Sequence, residues 1–331
     1  MKDMELGGPL SILLDSLADE EAPLRAGLLY RLSEPVPDDL AELQARWPLL
    51  PVERRRLLLL RMTEASETNF DLDFSAVARF ALSDDDSEVR QHAIAALWTS
   101  EDPAVLRGLV RLLQIDESAD VRAAAAQALG RFVLACELGE LPSTLAETVE
   151  TALLEAWYDD MDATEVRRRA LESIAYSGRE EVSSLIEEAA AHPDLKMRSS
   201  ALFAMGRSSD ERWAPYVLSA LNVAEPELRF EAARAAGELG LVDAVPRLIE
   251  LLQDPDHELM EAAIWSLGEI GGPDATNALV KLLRRNGLNE HLVDAVEDAL
   301  ATAALIDGQF GLFSFFGDDQ DVDIGDDWAN R

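Results

Sequence analysis

The most constraining feature of this chain is a spacing. Residues Asp254–Gly268 form an acidic turn followed by a helical motif, and the same pattern recurs at His192–Gly206 and Ala224–Gly237. Anchored on its first apolar residue, the motif reads apolar-Arg-x-x-Ala-x-x-small-apolar-Gly, with anchors at Val89, Val121, Val166, Met197, Leu228 and Leu259. The last four anchors are 31 residues apart, and the earlier gaps are 32 and 45. One helical motif per period of about 30 predicts a stacked array, in which each unit buries its apolar face against its neighbours.

Positions 0, +4, +7 and +8 from each anchor fall on one helical face. They are Val121, Ala125, Ala128 and Leu129 in one unit, and Leu292, Val296, Ala299 and Leu300 in the last. The small residues among them allow helices to approach closely. Asp86, Ser118, Asp194 and Asp256 stand where N-caps belong. Glu88, Asp120, Glu165, Glu227 and Glu258 then put negative charge in the first turn, where it complements the helix dipole. Glycine at +9 (Gly130, Gly206, Gly237 and Gly268) is expected to end each helix.

Between motifs lie partner helices such as Ala244–Leu252. The 45-residue gap is read as an insertion at about Glu137–Ser143 plus a longer partner helix through Trp157. Residues 1–82 match poorly and read as diverged capping repeats, with Pro51 in a first helical turn. The array proper covers 83–305, and 306–331 form an acidic, aromatic-containing tail expected to be disordered.

Composition narrows the function. The net charge is −35, from 64 acids against 29 bases, which disfavours direct contact with nucleic acid or anionic membrane and favours basic partners. No run of about 18 apolar residues predicts a membrane span. No signal peptide is evident at the start, and Cys136 is the single cysteine; both fit a cytoplasmic protein without a disulfide framework. Cys136 itself reads as a small buried residue.

The quoted motifs resemble HEAT repeats, specifically the short bacterial kind named for phycobilisome (bilin) lyase HEAT-like proteins, over about 84–305 and more loosely from about residue 9. The resemblance implies an all-α, right-handed α-α superhelix, a HEAT-like or armadillo-type solenoid of about nine helix pairs. Three enzymatic relatives can be tested on residues. Deoxyhypusine hydroxylase carries His-Glu pairs two and three residues after the anchor. Here those places hold Gln91-His92, Ala123-Ala124, Arg168-Arg169, Ser199-Ser200, Phe230-Glu231 and Glu261-Ala262, so no di-iron site is expected. HEAT-like DNA glycosylases need a basic groove, which the net charge opposes. A bilin-lyase-like role stays open as the alternative, although the matched motif supplies no catalytic residue.

The candidate sites are therefore binding surfaces, with no catalytic, metal or cofactor residue assigned. The arginine ladder Arg90, Arg122, Arg167, Arg198 and Arg229 is expected to pair with turn carboxylates. At +9 and +10 the row Trp98, Arg131, Tyr176 and Arg207 would line one edge, extended by Trp213 and Tyr216. Tryptophan, tyrosine and arginine are favoured at interface hot spots, and space-filling between helices is the competing reading. In the tail, Phe310, Phe313, Phe315, Phe316 and Trp328 would dock into a partner or cap the last repeat. Asp319–Asp323 opens like a calcium loop, but Ile324 and Asn330 stand where an EF-hand needs glycine and glutamate. The expected function is a non-enzymatic scaffold or adaptor for protein partners with basic surfaces; an acidic decoy of DNA-binding proteins is a further alternative.

Overall fold

The structure, a computed structural model, describes residues 10–306 apart from 25, 160 and 286. The described residues form eighteen α-helices in nine successive pairs and no β-strand. The chain divides into two compact units, Met1–Ser208 and Ser209–Arg331. The first holds α1 (Leu10–Ala18), α2 (Ala26–Leu32), α3 (Pro37–Arg46), α4 (Val52–Thr68), α5 (Ser75–Ala81), α6 (Ser87–Ala95), α7 (Pro103–Ile115) and α8 (Ala119–Glu137). It continues with α9 (Ser143–Tyr158), α10 (Thr164–Ile174), α11 (Glu180–Ala190) and α12 (Leu195–Arg207). The second holds α13 (Ala214–Ala220), α14 (Pro226–Glu238), α15 (Val245–Leu251), α16 (His257–Ile270), α17 (Gly272–Leu283) and α18 (Glu290–Ile306).

Even-numbered helices from α6 onward carry the motif. In the first unit α4, α6, α8, α10 and α12 pack one on the next, and in the second α14, α16 and α18 do the same. Anchors Val89, Val121, Val166, Met197, Leu228, Leu259 and Leu292 are all buried. Each such side chain taken from water contributes about 1.5–3 kcal/mol, so the repeated anchor row is a principal source of cohesion.

The +9 glycines are themselves helical and do not stand past the helix end: Gly206 and Gly237 come one residue before the ends of α12 and α14, Gly268 two before that of α16, and Gly130 seven before that of α8. Gly130, Gly237 and Gly268 lie inside α8, α14 and α16, where they let the next motif helix approach. A Cβ at Gly237 would stand 2.8 Å from the Cα of Ser266, and one at Gly268 2.8 Å from the Cα of Ala299. At Gly130 it would meet the Oγ of Ser173 at 2.9 Å. Each obstacle is the +7 residue of the following motif, so +9 and +7 form a repeating small–small contact. The serines also anchor it: Ser173 donates to the Ala126 carbonyl at 2.8 Å and Ser266 to that of Ala233 at 2.7 Å. Glycines that do follow helix ends with positive φ include Gly139, Gly240 and Gly271.

Other local expectations also change. Pro51 is the N-cap of α4 and not its first turn, and α4 runs on to Thr68. The long gap, in contrast, is taken up where it was expected: α8 continues to Glu137, five residues turn, and the long α9 runs from Ser143 to Tyr158. Asp86, Asp194 and Asp256 cap as expected, accepting from the backbone N–H of Val89, Met197 and Leu259 respectively. Ser118 makes no side-chain cap; its own N–H donates to Asp116 instead. Cys136 is half-buried, and burial together with Glu150 and Glu137 pushes its thiol pKa up, away from the reactive thiolate.

The arginine ladder is structural. Arg90 donates to both carboxylate oxygens of Asp116, at 2.7 and 2.8 Å, and to the carbonyls of Asp84 and Asp85. Arg122 grips Asp162 and the Asp116 carbonyl, while Arg229 takes the carbonyls of Val223 and Ala224 with Asp254 nearby. Each guanidinium thus closes its own turn and, where the geometry allows, ties it to the turn that begins the next motif. Arg167 departs from this scheme: it donates to the Trp157 carbonyl and lies over that indole. In the N-terminal repeats Arg56 plays the same part, holding both oxygens of Asp86.

Candidate protein-interaction surface

Of the +9/+10 row, Trp98, Tyr176 and Arg207 stand at or just past the C-terminal ends of motif helices and Arg131 lies within α8; each packs on local partners. Trp98 donates its indole N–H to Ser66 at 3.1 Å, and its ring lies 6.2 Å from that of Phe70, itself 79% exposed. Arg131 donates to the carbonyl of Ser100 at 3.2 Å and stacks over Phe132. Desolvation lowers its pKa to about 10, so it stays charged at neutral pH. Arg207 lies over the rings of Phe203 and Tyr176, at 5.1 and 5.7 Å. In the second unit Trp213 is buried at 6%, beneath Arg212, and Tyr216 is 41% exposed. Phe310, Phe313, Phe315, Phe316 and Trp328 lie outside the described residues.

A second feature lies in the first unit, between the C-terminal ends of α7 and α9. A groove of about 560 Å³ is lined by residues that include Gln114, Ile115, Glu155, Asp159 and Met161. Ile115 is 68% exposed and Met161 93% exposed, although both are large and apolar. The acids at the floor of the adjoining turns, Asp116 and Asp162, are held by Arg90 and Arg122. Glu155 accepts from Gln114, and no cation pairs with Glu155 or Asp159 among the described residues. Sequence reading missed this groove because it draws on two partner helices about 40 residues apart. The signal available was Ile115 and Met161, apolar residues beside acids at the end of α7 and in the turn after α9, outside the helical core period.

No group of three or more His, Cys, Asp or Glu among the described residues is placed to hold a metal ion. No described helix is long and apolar enough to cross a membrane.

Stacked helix pairs with a repeating internal arginine–aspartate ladder define an all-α solenoid of HEAT type. A HEAT-repeat family model matches residues 75–175 and 214–301, more than half of the chain, and the chain belongs to that family. No curated protein matches it. Among solved structures it is similar to Escherichia coli YibA, at 18% identity over 86% of this chain and 98% of that one, with a TM-score of 0.44. It is also similar to human deoxyhypusine hydroxylase, at 18% identity over 92% and 97% of the two chains and a TM-score of 0.34. A third is the complex of CpcE and CpcF of phycocyanin lyase from Nostoc, at 20% identity over 60% and 75% and a TM-score of 0.41. The likeness to these structures is one of fold.

Proposed function

We propose that this protein is a non-enzymatic scaffold that binds a protein partner through a basic, partly apolar segment. The observation behind this reading is the α7–α9 groove, where exposed Ile115 and Met161 sit beside the carboxylates of Glu155 and Asp159. Apolar side chains supply binding energy when a partner covers them, and acids without a close salt bridge among the described residues select a partner carrying lysine or arginine. The net charge of −35 steers such partners toward the chain from a distance. The Trp98–Phe70 pair and the Tyr176–Arg207 stack offer further contact area along the first unit.

The test uses the full chain with Ile115→Ser and Met161→Ser together, substitutions at exposed positions that leave the core intact. Partners captured from lysate by the parent are identified, and the purified partner is titrated against both forms. The expected result is a partner with a basic segment whose affinity drops at least about tenfold in the double variant and weakens with added salt. A partner bound equally by both forms, with no salt dependence, overturns the groove as the site.

A further inference from the structure

The second unit carries a groove of opposite character. It runs between α15 and α17, has a volume of about 660 Å³, and its floor includes Val245, Ile249, Leu252, Ala278 and Leu282. Asp274 stands at the end near the start of α17, while Lys281 and Arg285 form the lip at the other end. The cations are unusual for this molecule. Among the described residues of this unit, Arg212, Arg229, Arg234 and Arg247 each pair with a carboxylate. Lys281, Arg284 and Arg285 have no such partner among the described residues, and all three are exposed. The C-terminal end of a helix favours cations, which explains Lys281 in the last turn of α17. It does not explain two unpaired cations, Lys281 and Arg285, lining an apolar floor, with Arg284 next to them in sequence, in a chain with 64 acids and 29 bases.

We propose that this groove binds the chain's own acidic, aromatic segment, residues 307–331. Charge complementarity is the first argument: from Gly308 onward the segment holds six aspartates, at 318, 319, 321, 323, 326 and 327, and one arginine. The order of residues is the second. A short turn joins α17 to α18, and the two helices pack together, so Ile306 at the end of α18 lies toward the start of α17. A chain leaving there meets the Asp274 end of the groove first, then the apolar floor, then Lys281 and Arg285. Its sequence supplies Phe310, Phe313, Phe315 and Phe316 first and Asp318–Asp323 afterwards. Aromatic side chains thus reach the floor and carboxylates reach the cations without reversing direction. Reach is the third argument. From Ile306 to Asp318 an extended chain spans up to about 40 Å, and the twelve-residue α17 is about 18 Å long.

The scarcity of lysine gives a direct test, because only Lys2, Lys196 and Lys281 are present. The full chain at high dilution is treated with a zero-length carbodiimide cross-linker and digested for mass spectrometry. The expected product joins Lys281 to an aspartate within 318–327 in the monomer, while Lys196 shows no such link. Arg284→Glu with Arg285→Glu, and separately Phe313→Ser with Phe315→Ser and Phe316→Ser, are each expected to reduce that product several-fold. Arg284 and Arg285 are exposed, and circular dichroism at the parent value is the check that each variant set keeps the fold. The proposal is overturned if Lys281 links only to carboxylates of residues 10–306. It is equally overturned if the product forms only in covalent dimers, which would make a second copy the donor, or if its yield is unchanged in both variant sets.

Discussion

Replacing Gly268 by alanine puts the repeating +9/+7 contact to a quantitative test. In an ordinary helix interior, Gly→Ala gains about 1 kcal/mol, because alanine loses less backbone entropy. At Gly268 the new Cβ would stand 2.8 Å from both the Cα and the carbonyl oxygen of Ala299, and 2.9 Å from its Cβ. Carbon atoms prefer about 3.5–4.0 Å, so α16 and α18 must part by roughly 0.7–1 Å along their contact. Overpacking costs about 1–3 kcal/mol, and the upper end applies because two of the obstacles are backbone atoms that no rotamer change can move. Setting about 3 against about 1 leaves a net loss of about 2 kcal/mol. Gly108→Ala is the control. Its Cβ meets only the Cδ1 of Leu82, at 3.2 Å, a methyl group that can rotate away. That variant should be neutral or up to about 1 kcal/mol more stable. Urea titration followed by far-UV circular dichroism measures both, with amide exchange in α16 and α18 as the local readout, since repeats can open unit by unit. If Gly268→Ala is as stable as the parent, glycine there is not a close-approach device and the packing argument fails.

Three further outcomes are expected. Arg90→Ala leaves the Asp116 carboxylate, 6% exposed on its side chain, without its bidentate partner, and should cost about 3 kcal/mol; a loss under about 1 in thermal or urea melts refutes the ladder's role. The hydrogen bond from Arg56 holds the Asp86 carboxyl down to about 2, so its folded pKa lies below the unfolded value of about 3.9. The resulting stabilisation, at most about 2 kcal/mol, is present above about pH 4 and lost as pH falls through about 2. Asp86→Asn should therefore be less stable than the parent at pH 5 and converge with it near pH 2; a constant difference across that range contradicts the linkage. Arg131→Met exchanges a half-buried, desolvated guanidinium for an apolar chain of similar length. It should leave stability unchanged or raise it by about 1 kcal/mol, and a loss above about 2 would show that the Ser100 hydrogen bond matters more than the desolvation cost.

The fold was legible because each repeat states its helix locally: a buried anchor, a +4/+7/+8 face, an N-terminal acid and, except at Met260 and Val293, an arginine one residue on. These signals span fewer than four turns and need no partner elsewhere in the chain. The candidate site was legible only in part. The +9/+10 row could be named from its period, yet periodicity does not say that Arg131 would bond Ser100 and lie on Phe132, or that Trp213 would be buried. The α7–α9 and α15–α17 grooves were not legible at all, because each is the space between helices of different repeats, and its depth depends on helix lengths and end points.

The +9 glycine marks the boundary between the two kinds of information. The sequence alone determined its position, its recurrence and the all-helical stack around it. A glycine near the end of an apolar period reads as a stop because the freedom of its backbone is a local property. Only the tertiary structure decided that Gly130, Gly237 and Gly268 lie inside helices whose +7 neighbours from the next repeat leave no room for a Cβ. That use of glycine depends on what a second helix brings within about 3 Å, a non-local distance that no spacing along one chain records.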